Sequence, residues 1–268
     1  MAVRAVLLDL GDTLMFQARA PNEDALYGRM AEQVRPLLSA WNTAPVDAGA
    51  LLRDLYRAVE TAQPERRARS HEVDGPFIAR GALASYGVNA SPAQAEAFWR
   101  ATAVDFTLWG WQLYPDTLDT LRRLRQARIP AAIVSNGWYR SELRSALLAS
   151  LGITDDLVDA FVSSADLLRP KPRPELFLRA LEALAVEAGE AVFVGDDLEA
   201  DVRGAKALGL TTVWKLNGRQ DPPPAPEADF AIHDLWELFT LGVLPEAGPA
   251  PMPQESLTPH EDGNAGRY

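Results

Sequence analysis

An α/β fold is predicted, a doubly wound parallel sheet carrying an inserted α-helical domain, and three observations predict it. From Leu113 to Leu241 short apolar runs alternate with amphipathic segments, the pattern of β-α units around a parallel sheet. A run of the same kind, Val6-Leu7-Leu8, stands alone near the N-terminus. A strand covered on both faces reads as unbroken apolar sequence. Between the two, from about Asn22 to Phe106, helical periodicity proceeds with almost no strand signal.

Taken in order, the first strand ends at Asp9, followed by a turn through Gly11 and by Thr13. Asn22 is a cap for a helix to about Ala40, and Asp47 for one to Gln63. Asp74 or Gly75 starts a third, ending near Gly87, where glycine suits the left-handed position after a helix. Ser91-Pro92 opens a fourth, expected to reach about Thr107. Four such helices pack as a small bundle. The chain then returns at Leu113-Tyr114-Pro115, and Asp116 is placed to cap a helix to Arg128 with Leu118, Leu121 and Leu124 on one face.

Strands follow at Ile129–Val134, Ala160–Ser163, Val192–Gly195, Leu210–Trp214 and, at an edge, Phe230–Ile232. Helices are expected at Ser141–Ser150, Pro174–Leu184, Leu198–Leu208 and Asp234–Leu241. The expected division is a core of residues 1–17 and 112–244, a helical domain of residues 18–111 and a disordered tail at 245–268, where five prolines accompany little that builds a core.

Composition narrows the function classes. With 268 residues, 47% of them hydrophobic, the chain has material for a substantial core. It has no cysteine, which removes disulfides, thiolate metal sites and cysteine catalysis. Its three histidines, His71, His233 and His260, are far apart, so a His-rich zinc site or a Ser-His-Asp triad is a poor fit. A net charge of −11 argues against nucleic-acid affinity. No signal-peptide pattern opens the chain, and no run approaches the roughly 18 apolar residues of a membrane span. A cytoplasmic protein is expected.

Four strand ends carry polar residues. Asp9 ends AVLLD; Ser135 and Asn136 end AAIVSN; Lys171 sits in the Pro-braced turn RPKPRPELF; and Asp196, Asp197 and Asp201 lie in GDDLEAD. A polar residue at the carboxyl end of a parallel strand faces the crevice where open α/β sheets bind ligands. Singly, each also reads as an ordinary turn, surface lysine or helix start, where acids suit the helix dipole.

In this order and spacing the four stretches resemble the motifs of the haloacid dehalogenase-like hydrolase superfamily, and the helical insert resembles its cap. The resemblance implies a Mg²⁺-dependent phosphatase acting on a small phosphorylated metabolite. Asp9 would be the nucleophile that forms an aspartyl-phosphate. Asp9, the Gly11 carbonyl and Asp196 would ligate Mg²⁺, with Asp197 and Asp201 beside them as outer or alternative ligands. Ser135, the Asn136 amide and Lys171 would hold the phosphoryl oxygens, and Lys171 would offset the charge of Asp9.

One departure matters. Phosphatases of this kind usually carry a second aspartate two residues after the nucleophile, where this chain has Gly11. Metal ligation through a backbone carbonyl survives that change; general acid/base catalysis does not. Asp12 is adjacent, but a one-residue offset points a side chain elsewhere. Three readings follow: a phosphatase favouring good leaving groups; a 2-haloacid dehalogenase, whose halide leaves unprotonated; and a catalytically weak or inactive binding or regulatory protein. Phe177 stands where the dehalogenase pattern has Tyr, and GDDLEAD is richer in acids than that pattern requires. In the insert, Arg66, Arg67, Arg69 and His71 are candidates for anion contact or a solvated face. Trp99, Trp109 and Trp111 are candidates for a substrate wall or for packing between insert and core.

Overall fold

The computed structural model describes residues 3–41, 44–68, 70–218 and 228–244. Six parallel strands form the main sheet: β1 (Ala5–Leu8), β4 (Ala131–Ser135), β5 (Ala160–Ser163), β6 (Ala191–Gly195), β7 (Thr211–Lys215) and β8 (Phe230–Ile232). Their spatial order is β5-β4-β1-β6-β7-β8. The first strand is therefore central, as its unbroken apolar run requires, and all four of its residues are buried. The chain leaves β1 for β4 on one side and reaches β6 on the other. The crevice created by that switch lies at the carboxyl edge, where Leu8 is in register with Ile133 and Val194.

Helices α5 (Thr117–Gln126), α6 (Ser141–Ala149), α7 (Ser164–Leu167), α8 (Pro174–Leu184) and α9 (Gly204–Lys206) belong to this part of the chain. Successive strand residues point to opposite faces of the sheet and feed two apolar layers. Val6, Leu8, Ile133 and Val194 join one, and Leu7, Val134, Phe193 and Phe177 the other.

The insert folds as its periodicity predicts, into α1 (Glu23–Ala40), α2 (Ala48–Ala68), α3 (Gly75–Ser85) and α4 (Pro92–Ala101). They pack around their own apolar cluster, which includes Met30, Leu55, Leu83 and Phe98. Asn22, Asp74 and Ser91 cap α1, α3 and α4, and Asp47 Oδ1 accepts the Ala50 amide 3.0 Å away at the start of α2. Each satisfies an amide that the first helical turn leaves without a partner.

Several boundaries differ from expectation. α2 runs past Gln63 to Ala68. α4 stops at Ala101, and a short 3₁₀ turn, Phe106–Trp109, replaces its expected last turn. Asp116 does not cap α5; its Oδ2 accepts the Leu235 amide at 2.6 Å and ties that helix to the last turn of the fold. Leu198–Arg203 forms a wide π-type turn leading into α9 instead of a continuous helix, and Leu235–Phe239 is 3₁₀. A two-stranded antiparallel ribbon, β2 (Met15–Gln17) with β3 (Trp111–Leu113), joins insert and sheet. Its strands are three residues each, too short for an alternating pattern to declare itself in sequence. The side chains of Arg66, Arg67 and Arg69, the loop at 222–226 and the tail at 245–268 lie outside the described residues; His71 is exposed.

Candidate active site

The crevice at the carboxyl edge gathers Asp9, Ser135, Lys171 and Asp196 around one cavity of about 610 Å³. Asp9 follows β1 directly, and its amide donates 2.9 Å to the Val194 carbonyl. That bond continues the ladder between β1 and β6 and sets Asp9 beside Gly195 and Asp196. Asp9 is 6% exposed and Lys171 5%.

The Lys171 ammonium has three N–H donors and three oxygens within reach. Asp9 Oδ1 is at 2.5 Å, the Val134 carbonyl at 2.9 Å and Asp201 Oδ1 at 2.6 Å. The first two have hydrogen-bond geometry. The third is a charge contact without a directed hydrogen bond, which leaves Asp201 Oδ1 otherwise unsatisfied. Burial alone pulls the Lys171 pKa down, but Asp201 and Asp9 outweigh it and hold the ammonium above its ordinary value.

Asn136 fixes where this lysine starts. Its side chain accepts from the Lys171 amide at 2.8 Å and donates to the Lys171 carbonyl at 3.2 Å. The turn after β4 is thereby clamped to the Lys171 turn, 35 residues later. The Asn136 side chain is thus occupied, and its backbone amide is what remains for a ligand. Ser135 is buried, and its hydroxyl donates 3.1 Å to the Asn136 carbonyl.

Asp9, Asp196 and Asp201 each offer a carboxylate oxygen, all within 4.8 Å of one another. Burial, then the charge of Asp9, pushes Asp196 up to about 7. Asp201 is also pushed to about 7, by burial, although Lys171 pulls the other way. Three hard oxygen donors this close together suit a small divalent cation such as Mg²⁺. Asp197 lies outside this group. It is exposed, and its Oδ1 accepts the Glu199 and Ala200 amides at 2.8 and 2.9 Å, capping the π-type turn. Gly11 lines the cavity. Asp12 does too, in the left-handed region at φ 57°. The Asn217 side chain donates 2.6 Å to the Asp12 carbonyl.

The family model described as haloacid dehalogenase-like hydrolase matches residues 3–209. The chain belongs to the haloacid dehalogenase-like hydrolases. It is similar to the ribulose-1,5-bisphosphate 5-phosphatase of Halopiger xanaduensis, 38% identical over 157 residues, or 56% of this chain and 62% of that protein. The phosphoserine phosphatase of Thermus thermophilus is 32% identical over 175 residues, 63% of this chain and 67% of its own length. The first of these matches thus spans under two thirds of the relative. A solved 2-haloacid dehalogenase from Pseudomonas syringae pv. Tomato DC3000 shares the fold, with a TM-score of 0.59 at 23% identity over 88% of this chain and 96% of that one.

As a haloacid dehalogenase-like hydrolase, the chain carries cavity residues that its four motifs do not include. Glu72, between α2 and α3, is buried; its Oε2 accepts from Ser164 Oγ at 2.5 Å and its Oε1 from the Val73 amide at 2.8 Å. Arg144 of α6 is buried against the same cavity. Neither carries a local sequence signal, because a buried charge looks like a surface one until its neighbours are known. Gly195 has a readable signal only in hindsight. A Cβ there would fall 2.3 Å from Asp201 Oδ2, so glycine is what lets Asp201 approach.

Trp99, Trp109 and Trp111 all pack in the apolar clusters, and two of them also reach the cavity. Trp99 is packing: it is buried, stacks on Tyr139 at 4.9 Å, and its Nε1 donates 3.3 Å to the Trp138 carbonyl. Trp109 and Trp111 line the cavity. Tyr56 of α2 and Tyr139 of the core share a buried hydroxyl contact, and Thr102 Oγ1 lies 2.9 Å from the Tyr139 hydroxyl. The insert is thereby joined to the loop after β4, and its Glu60, Gln63 and Glu72 help to line the cavity.

Proposed function

We propose that the chain is a Mg²⁺-dependent phosphatase for a small phosphorylated metabolite, acting through an aspartyl-phosphate at Asp9. The observation that carries this is the charge balance at the strand ends. When ionised, the three carboxylates Asp9, Asp196 and Asp201 face one ammonium, Lys171. Among these four contacting groups two negative charges remain, which is the charge a Mg²⁺ ion offsets. Two relatives named as phosphatases point the same way.

Asp9, Asp196 and the Gly11 carbonyl would hold the ion, with Asp201 beside them and Asp197 as an outer partner. Bound there, it supplies positive charge to the phosphoryl oxygens. The rest is the work of the chain. Ser135, the Asn136 amide and Lys171 orient the phosphoryl group. Lys171 holds Asp9 Oδ1, and the other carboxylate oxygen attacks phosphorus in line. The P–O bond to the alcohol breaks as the bond to Asp9 forms. Water then attacks the aspartyl-phosphate, releasing inorganic phosphate and restoring Asp9. With glycine at position 11 the leaving oxygen departs without a protein proton donor at that position, so aryl and acyl phosphates react faster than alkyl ones. The helical domain 18–111 acts as a cap that excludes water from this chemistry.

Phosphate release from a panel of aryl, acyl and alkyl phosphates, with and without Mg²⁺, tests the proposal, with Asp9→Asn as control. Metal-dependent turnover that vanishes in the control is expected. Release that is independent of metal or survives Asp9→Asn overturns it. Gly11 also favours a second reading, 2-haloacid dehalogenation, because halide needs no proton on leaving. Metal-independent halide release from a 2-halo acid would establish that reading instead.

A further inference from the structure

A second cation lines the cavity besides Lys171, and phosphoryl transfer to Asp9 gives it no task. Arg144 lies in the first turn of α6 and is 7% exposed. Its Nη1 donates to the Asn136 carbonyl at 3.1 Å. Its guanidinium carbon lies 5.9 Å from the centre of the Phe106 ring and 5.7 Å from that of Phe161. Among the described residues Nε has no hydrogen-bond partner. Nη2 makes no hydrogen bond, and the guanidinium no ion pair, among the described residues.

Three acids act on it, and each has another partner. Asp9, the foremost, is held by Lys171, Glu72 accepts from Ser164 and the Val73 amide, and Asp166 accepts the Ser141 and Ser163 amides. Burial pulls the Arg144 pKa down to about 10, which leaves it charged at neutral pH. The chain also reserves room for this side chain: a Cβ on Gly137 would fall 1.4 Å from Nη1.

A buried charge without an ion-pair partner is costly, and removing one from water is offset only by good partners. A ligand that brings the counter-charge resolves that cost. Arg144 is anchored at the Asn136 carbonyl and Gly137, one residue further along the loop than Ser135, and makes no ion pair with Asp9. It lines the same cavity as Asp9 and lies within reach of that carboxylate's charge, but makes no direct contact with it. Its planar fork matches the paired oxygens of a carboxylate or a phosphate.

We infer that Arg144 determines specificity by binding an oxyanion group of the substrate other than the phosphoryl group transferred to Asp9. The preferred substrate is then a phosphomonoester that also bears a carboxylate or a second phosphate a few atoms from the ester. This rests on the phosphatase reading and narrows it to a substrate class.

The test uses matched probes at saturating Mg²⁺: ethyl phosphate, phosphoglycolate, in which a carboxylate replaces the methyl group, and ethylene glycol bisphosphate. Turnover is measured with the wild-type chain, Arg144→Met and Arg144→Lys. Affinities are measured by calorimetry in Asp9→Asn, alone and combined with each Arg144 change. The wild type should prefer an acid-bearing probe over ethyl phosphate by about 10- to 100-fold in kcat/KM, the scale of a charge-assisted hydrogen-bond pair. Most of that preference should reside in KM. Arg144→Met should erase it, and Arg144→Lys, which keeps the charge but not the fork, should retain part; the lysine variant also decides the matter if the methionine variant does not fold. Which acid-bearing probe is preferred separates a carboxylate from a phosphate. Equal losses on all three probes would make Arg144 a brace of the loop or a ligand of the transferred group, and would overturn the inference. So would a wild type without preference, or failure of every probe to bind. Preference in binding without turnover would overturn the phosphatase reading and leave the role of Arg144 standing.

Discussion

Replacing Gly11 by aspartate tests whether a missing proton donor limits this site. The substitution is sterically open: a Cβ at Gly11 would meet only the Trp111 ring edge, at 3.9 Å, an ordinary contact. Gly11 is not among the residues of positive φ, so an L side chain adds no backbone strain there. The new carboxyl would face the cavity that Asp9, Asp12 and Asp196 line. Neighbouring negative charges raise a carboxyl pKa, which is what a general acid at neutral pH needs. General acid/base help is worth roughly 10² to 10⁴-fold, and an unoptimised geometry forfeits part of it. Gly11→Asp should therefore raise kcat for ethyl phosphate by about 10- to 10³-fold. It should change kcat for 4-nitrophenyl phosphate by less than about threefold, since nitrophenolate leaves without a proton. Mg²⁺-saturated phosphate release on the two substrates reads both values. A rise of equal size on both, or none on ethyl phosphate, would refute the reasoning, because neither fits a deficit confined to leaving-group protonation.

Lys171→Met should cost about 3–5 kcal/mol in metal-free urea unfolding at pH 8, since it strands Asp9 and Asp201 in a buried site. Asp201, already pushed up to about 7 by burial, then loses the charge that pulls it down and is neutral at lower pH, so the loss should shrink as pH falls; a loss that does not depend on pH would contradict this. Mg²⁺ affinity should rise with pH up to about 7 and its binding should release protons, because Asp196 is held up at about 7 when metal-free and must ionise to ligate. Calorimetry in two buffers of different ionisation enthalpy measures that release, and identical heats in both would count against it. Gly195→Ala should weaken Mg²⁺ binding at least about tenfold and destabilise the fold by about 1–3 kcal/mol, as its Cβ displaces Asp201. A titration followed by melting temperature in rising Mg²⁺ checks both, and an unchanged midpoint would show that Asp201 does not need its present position.

What can be read in advance follows from what is local. The strand ends at Asp9, Ser135 and Asp196 announce themselves because a buried parallel strand is an uninterrupted apolar run and a polar residue must mark its exit. The caps at Asn22, Asp74 and Ser91 are legible for the same reason: each bonds an amide three residues away. Asp116 misleads because it fits the local cap rule, whereas the amide it serves is 119 residues distant. The π-type turn at Leu198–Arg203 misleads because its apolar spacing is that of a helix, while Asp197 and Asp201 set its opening geometry from within the site.

Glu72 and Arg144 are illegible for a deeper reason. Sequence marks a charge but not its burial. Burial here is decided where the insert meets the core, by Ser164 reaching Glu72 across 92 residues and by the Asn136 carbonyl holding Arg144. The motifs are thus written in short-range grammar. The side chains that would choose among substrates are supplied by contacts between distant segments, so they change without disturbing that grammar. Among the described residues Lys171 is matched by Asp9 and Asp201, while Arg144 makes no ion pair, and the cavity divides along that line. On the proposed reading the matched cation serves the centre, and the unmatched one meets the charge of the ligand.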